Sequence, residues 1–115
     1  MIYNSRIPAS AIIGSGSFFA YGGIAVVLHK KVVIGRNCII GTCVTIGGRS
    51  NSKTVPIIGD NVFIATGAKL LGSIKVGNNC VIGANTVVIH DVPDNCVVAG
   101  IPGKILIQRI ITKCL

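Results

Sequence analysis

A β-solenoid, a chain wound into flat-walled coils, is the fold this sequence predicts, and three observations predict it. From Ile34 to Pro93 an aliphatic residue returns every sixth position, at Ile34, Ile40, Ile46, Ile58, Ile64, Leu70, Val76, Ile82 and Val88. Four residues after such a start a second inward site recurs, filled by small or branched residues: Cys38, Val44, Val62, Ala68, Ile74, Cys80 and Thr86. Half of the residues are hydrophobic but only 4% are aromatic, as suits a narrow interior of stacked aliphatic rows. A helical period of about 3.6 or a strand period of two does not explain a strict six. Six fits one short strand and one corner per hexad. A β-sandwich with evenly spaced turns would show alternation and no fixed frame.

The elements follow in order. Residues 1–6 are a lead-in, and the frame begins at Ile7 and Ile13. It then slips, because Leu28 lies fifteen residues after Ile13, which puts three extra residues within Phe19 to Val27. A slip of this kind reads as a bulged corner, a place where a solenoid can hold chemistry. Regular coils resume at Leu28. The stretch Arg49 to Pro56, RSNSKTVP, is polar and spans the hexad whose start is not aliphatic, so it reads as a projecting loop. The frame returns in phase at Ile58. Glycines at Gly35, Gly41, Gly47, Gly59, Gly77 and Gly83 mark corners, where a β-carbon would crowd the next coil or positive φ is needed. Coils run to about residue 105, and 106–115 form a tail. In that tail Ile107, Ile110 and Ile111 stand at helix-like spacing, ready to cap the open end.

The 115 residues make one all-β domain. No apolar run approaches the roughly 20 residues of a membrane span, and the first residues lack the layout of a signal peptide. Five cysteines, without a C-x-x-C pair, read as free thiols in a reducing, cytoplasmic setting. The net charge of +8 favours an anionic partner. The basic residues are scattered singly and aromatics are few, so a small polyphosphate ligand fits better than nucleic acid.

The hexads, the run TIGGRSNSKTVPIIGDNVFIATGAKLLGSIKVGNNCVIGANTVVIHDVP and the closing AGIPGKI resemble the hexapeptide-repeat, left-handed parallel β-helix acyltransferases. Within that group they are most similar to the serine acetyltransferases. The resemblance covers about Ile7 to Ile105. It implies the left-handed turn, which ordinary crossover rules would not. It also implies a homotrimer, a small-molecule acceptor, and acetyl-CoA as acyl donor in a groove between coils, with no metal. The matching cofactor-side positions are Gly47 and Gly48, Thr66, Gly67 and Ala68, Gly83 and Ala84, and the turn Gly100 to Lys104. Small residues there let an extended arm lie along backbone amides, and Lys104 can meet phosphate.

At the acceptor side the sequence departs from the family pattern. The position of the family's general-base histidine is Tyr21, after Ala20 in place of an aspartate. The orienting aspartate falls on Arg6, and a further histidine falls on Val55. No His–Asp dyad is therefore carried over. The side chains left for a base are His29 and His90, with Asp60, Asp91 and Asp94 the only carboxylates. His29, just after the slipped corner, leads, and Tyr21 is placed to bind or orient an acceptor. The expected activity is acetyl transfer to a hydroxyl or amino group of a small acceptor, such as a sugar or amino acid. The alternative is a trimeric scaffold or ligand-binding protein without catalysis. A zinc carbonic anhydrase on the same fold would need three histidine ligands, and the chain has two.

Overall fold

The computed structural model describes residues 12–20, 25–48 and 55–107. These residues form fourteen short strands: β1 (Ile12–Ile13), β2 (Phe18–Phe19), β3 (Val27–Leu28), β4 (Val33–Ile34), β5 (Ile39–Ile40), β6 (Thr45–Gly47) and β7 (Ile57–Ile58), then β8 (Phe63–Ile64), β9 (Lys69–Leu71), β10 (Lys75–Val76), β11 (Val81–Ile82), β12 (Val87–Val88), β13 (Val97–Ala99) and β14 (Lys104–Ile107). Through β12 every third strand joins the same sheet. Sheet 1 runs β1-β4-β7-β10, sheet 2 runs β2-β5-β8-β11-β13-β14, and sheet 3 runs β3-β6-β9-β12. All pairings are parallel except that of β13 with β14. The molecule is a three-walled parallel β-solenoid.

Register turns the hexad frame into columns. Ile34, Ile58 and Val76 stack under sheet 1, Ile40, Ile64, Ile82 and Val98 under sheet 2, and Leu28, Ile46, Leu70 and Val88 under sheet 3. From Ile34 to Val88 every aliphatic start named from the sequence is buried, and so is every second inward site; Ile13 is half-buried, and Ile7 lies outside the described residues. At those second sites, burial pushes the thiols of Cys38 and Cys80 up from their ordinary value. They stay protonated and donate to carbonyls of the next coil, Cys38 Sγ to Gly59 O at 3.1 Å and Cys80 Sγ to Pro93 O at 3.1 Å.

The corners divide the two duties expected of glycine. At Gly35 a β-carbon would stand 2.6 Å from the carbonyl oxygen of Gly59 in the next coil. Crowding therefore fixes that glycine. Among the described non-glycine residues, positive φ falls mostly on asparagine, at Asn37, Asn61, Asn79, Asn85 and Asn95. Asparagine is among the few non-glycine residues that tolerate this region.

Three expectations need revision. The projecting loop is shorter at its far end, because Val55 and Pro56 are buried and Val55 packs with the core. After Val88 the frame shortens by two: the next inward residue is Val92, which bridges to Val76. The turn at His90 is tightened to reach it. The residues after Gly103 do not begin a helix. Ile107 lies in β14, which doubles back antiparallel along β13 and extends sheet 2, so its backbone amides are used in a ladder. Ile110 and Ile111 lie outside the described residues.

One inward residue breaks the aliphatic rule. Thr86 is fully buried, and its hydroxyl has no hydrogen-bond partner among the described residues. An unpaired buried hydroxyl costs about 1–3 kcal/mol. Thr86→Val is expected to raise stability by about 1 kcal/mol, read as a higher denaturant midpoint with an unchanged slope.

Candidate functional site

The residues singled out from the sequence gather at two corners, on either side of sheet 3. The first corner lies between sheets 2 and 3. Ala65, Thr66 and Gly67 turn here between β8 and β9, and Gly83, Ala84 and Asn85 do so one coil later. Bonds from Ala65 N to Ile82 O and from Asn85 N to Thr66 O, both 2.9 Å, hold the two turns in register. β14 brings Lys104 to the same end, because Lys104 pairs with Ala99 and a β-carbon on Gly83 would stand 3.4 Å from that of Ala99.

These positions are not equivalent. Thr66 and Ala84 are exposed, and the hydroxyls of Thr42 and Thr66 lie 3.4 Å apart on the outer surface. Gly67 has φ +80°, with the Asn85 side chain lying over it, so the turn itself requires glycine. Ala68 is different. Its side chain is buried in the core, its amide donates to Ala65 O, and its carbonyl accepts from Thr45 N. Nothing on Ala68 remains for a ligand, and the cofactor contact expected of it is withdrawn; it occupies the second inward site of its coil.

Lys69 belongs to this corner and escaped the sequence reading. Its Nζ donates to the carbonyls of Cys43 at 3.1 Å and Gly67 at 2.8 Å, which pins an ammonium across two coils. The signal was available: Val27, Thr45 and Val87 share its outward register, and Lys69 is the charged residue among them. Small exposed residues at these turns, flanked by Lys69 and Lys104, fit an extended, phosphate-bearing ligand.

The second corner lies between sheets 3 and 1. His29 leaves β3 with its amide on Ile46 O at 2.9 Å, which sets it beside Gly47. A β-carbon on Gly47 would meet nothing within 4 Å, and one on Gly48 would only touch Val55 Cγ1 at 3.7 Å. Among the described residues, nothing crowds Gly47 beside His29. The Nδ1 of His29 accepts the backbone N–H of Lys31 at 3.1 Å. Accepting that bond uses the Nδ1 lone pair, so the ring proton of this tautomer sits on Nε2. His90 occupies the same corner three coils away, about 14 Å distant at the usual strand spacing. The two histidines are not brought together. Tyr21 and Arg6 lie outside the described residues.

Each of the three carboxylates accepts a backbone amide, and Asp91 does so at the corner it shares with His90. Asp60 Oδ1 accepts from Arg36 N at 2.8 Å, Asp94 Oδ1 from Asn78 N at 2.7 Å, and Asp91 Oδ1 from Lys75 N at 3.0 Å. Among the described residues no three His, Cys, Asp or Glu side chains group as metal ligands. No helix among them is long and apolar enough to cross a membrane.

Comparison with known proteins places this geometry. The family described as "Bacterial transferase hexapeptide (six repeats)" matches residues 56–90. The chain belongs to this hexapeptide-repeat family, and its fold is the left-handed parallel β-helix. Within the family it is similar to serine acetyltransferases. It is 47% identical over 106 residues to that of Bacillus subtilis (strain 168), covering 90% of this chain and 48% of the relative. Against that of Synechococcus elongatus it is 40% identical, covering 88% and 42%. Among solved structures, a serine acetyltransferase in complex with coenzyme A from Brucella abortus strain S19 superposes with a TM-score of 0.83 at 37% identity, covering 88% of this chain and 41% of that one. The chain spans about half the length of the relatives it matches, 48% and 42% of these two.

Proposed function

We propose that the protein is an acetyl-CoA-dependent acetyltransferase acting on a small acceptor. The observation that carries this reading is the corner between sheets 2 and 3, where the exposed residues Thr66 and Ala84 lie between Lys69 and Lys104. The relatives named serine acetyltransferase, and the one solved with coenzyme A, support both the donor and an amino-acid acceptor with a hydroxyl, serine. Acetyl-CoA would supply an activated acyl group as its thioester. The acceptor oxygen forms the new bond to the acyl carbon, the carbon–sulfur bond breaks, and the acceptor proton ends on the thiol of free CoA. Thr66, Ala84, Lys69 and Lys104 would hold the donor, and His29, beside Gly47 and Gly48, is the residue placed to meet the acceptor. Holding two reactants in line supplies much of the rate enhancement.

Calorimetric titration with acetyl-CoA, alongside free CoA, tests the reading. Micromolar binding supports it. No heat from a folded sample would leave the alternative of a scaffold without catalysis.

We infer a homotrimer in a reducing, cytoplasmic setting. The outward side chains of sheet 2 form an apolar row, Phe18, Ile39, Phe63, Val81 and Val97, with Phe18 54% and Phe63 40% exposed in the single chain. Such a row supports contact between copies. Phe63→Lys is expected to shift the sedimentation coefficient from trimer to monomer.

A further inference from the structure

One column of the interior is rich in sulfur. At the corner between sheets 1 and 2 the second inward sites are Cys38, Val62, Cys80 and Cys96, each just before a strand of sheet 2 and so in register. All four are buried. The three thiols share one orientation, because each meets the carbonyl two residues before it: Cys38 on Arg36 O at 3.6 Å, Cys80 on Asn78 O at 3.5 Å and Cys96 on Asp94 O at 3.5 Å. Cys80 and Cys96 therefore stack in adjacent coils, sulfur over sulfur, at about the 4.8 Å strand spacing. Val62 separates Cys38 from them. Neither candidate corner beside sheet 3 uses these thiols.

That spacing decides what the pair can hold. A disulfide needs β-carbons about 3.8 Å apart, about 1 Å closer than the coils stand. Val81 N on Cys96 O and Asn95 N on Asn78 O, both 2.9 Å, keep the coils at ladder distance. An ion between two thiolates needs twice a metal–sulfur bond of about 2.3 Å, which matches the stack with the ladder unmoved. Tetrahedral zinc would need two further donors, and among the described residues no three His, Cys, Asp or Glu side chains group. A soft monovalent ion with a filled d shell is satisfied by two thiolates in line.

We propose that Cys80 and Cys96 form a two-coordinate site for a soft monovalent cation, Cu(I), which staples the last two coils together. Binding breaks two S–H bonds and forms two Cu–S bonds; both protons pass to solvent, and no electron is transferred. A coordinated thiol gives up its proton outright. Entry is from the end of the stack. Cys38 and Cys80 each donate also to a carbonyl of the next coil at 3.1 Å, Gly59 O and Pro93 O. Cys96 lies in the last coil, and among the described residues only β14 pairs beyond it. Opening of that terminal unit uncovers the pair. The proposal is independent of the transferase reading.

The test uses the whole chain carrying Cys43→Asn and Cys114→Ser, which leaves only the three thiols of the column. Anaerobic titration with Cu(I) against the chromophoric chelator bicinchoninate is expected to give one ion per chain. X-ray absorption should show two sulfur neighbours. Valine already fills this column at Val62, so Cys80→Val and Cys96→Val preserve the packing. Each should weaken Cu(I) binding by more than the roughly 100-fold that loss of an outer-shell partner costs. Cys38→Val should leave it unchanged. The bound ion should raise the thermal midpoint of the parent and of Cys38→Val, but of neither other variant. No Cu(I) bound by the parent, three or more sulfur neighbours, or an equal loss in Cys38→Val would overturn the proposal. A second measurement needs no substitution. Crystals of the unsubstituted chain grown with Ag(I), an ion of the same charge and softness, should show an anomalous peak between the sulfurs of Cys80 and Cys96. Peaks confined to Cys43 or Cys114 would count against the site.

Discussion

Ala84→Trp is expected to weaken acetyl-CoA binding at least about fiftyfold, more than 2 kcal/mol, while leaving the unfolding midpoint nearly unchanged. Ala84 is exposed, so the indole adds no bulk to the interior. Its amide neighbour Asn85 and the preceding Gly83 hold the turn to the coils on either side through Thr66 O and Val98 O, and a change of side chain at 84 leaves those bonds alone. What the indole fills is the surface strip next to Thr66 and Lys69. Titration calorimetry of the variant checks the affinity and thermal unfolding checks the fold. Unchanged affinity would move the donor away from this corner.

Ile64→Ala is expected to cost about 3 kcal/mol of folding stability, measured by denaturant titration. Ile64 is fully buried and sits mid-column, with Ile40 on one side and Ile82 on the other. Its neighbours are locked in ladders with both adjoining coils, so the wall cannot fold inward to fill the space. The same substitution at Val98 should cost less, because that column ends there against a single further strand, β14.

The solenoid was legible because its interior is so narrow. One column position admits one kind of side chain, and a six-residue spacing between columns is printed directly in the order of Ile, Leu and Val. The corners were half legible. Gly35 could be read as crowded, but nothing in the hexad count said that asparagines would take the positive φ. Ala68 misled because small residues serve both an inward site and a ligand groove, and only burial distinguishes the two. Lys69 was passed over as an ordinary surface charge; its carbonyl partners lie two and twenty-six residues away, a relation that depends on coil stacking. The C-terminal strand was hidden for a similar reason. A spacing of three and four around Ile107 suits a helix, and an open sheet edge nearby made strand pairing the better use of the same backbone.

The carboxylate and amide side chains at the corner between sheets 1 and 2 bind each coil to the next. Arg36 N is received by Asp60, Asp60 N by Asn78, and Asn78 N by Asp94, so each coil is capped by a side chain from the coil after it. Peeling a coil from the C-terminal end removes an acceptor and strands a backbone N–H on the coil that stays. Peeling from the other end strands the return bonds of the same corner, Asn61 N on Arg36 O and Asn79 N on Asp60 O. In a stack where each coil meets only its neighbours, every boundary here is tied by amides running both ways, and loss of a coil from either end leaves an N–H bare.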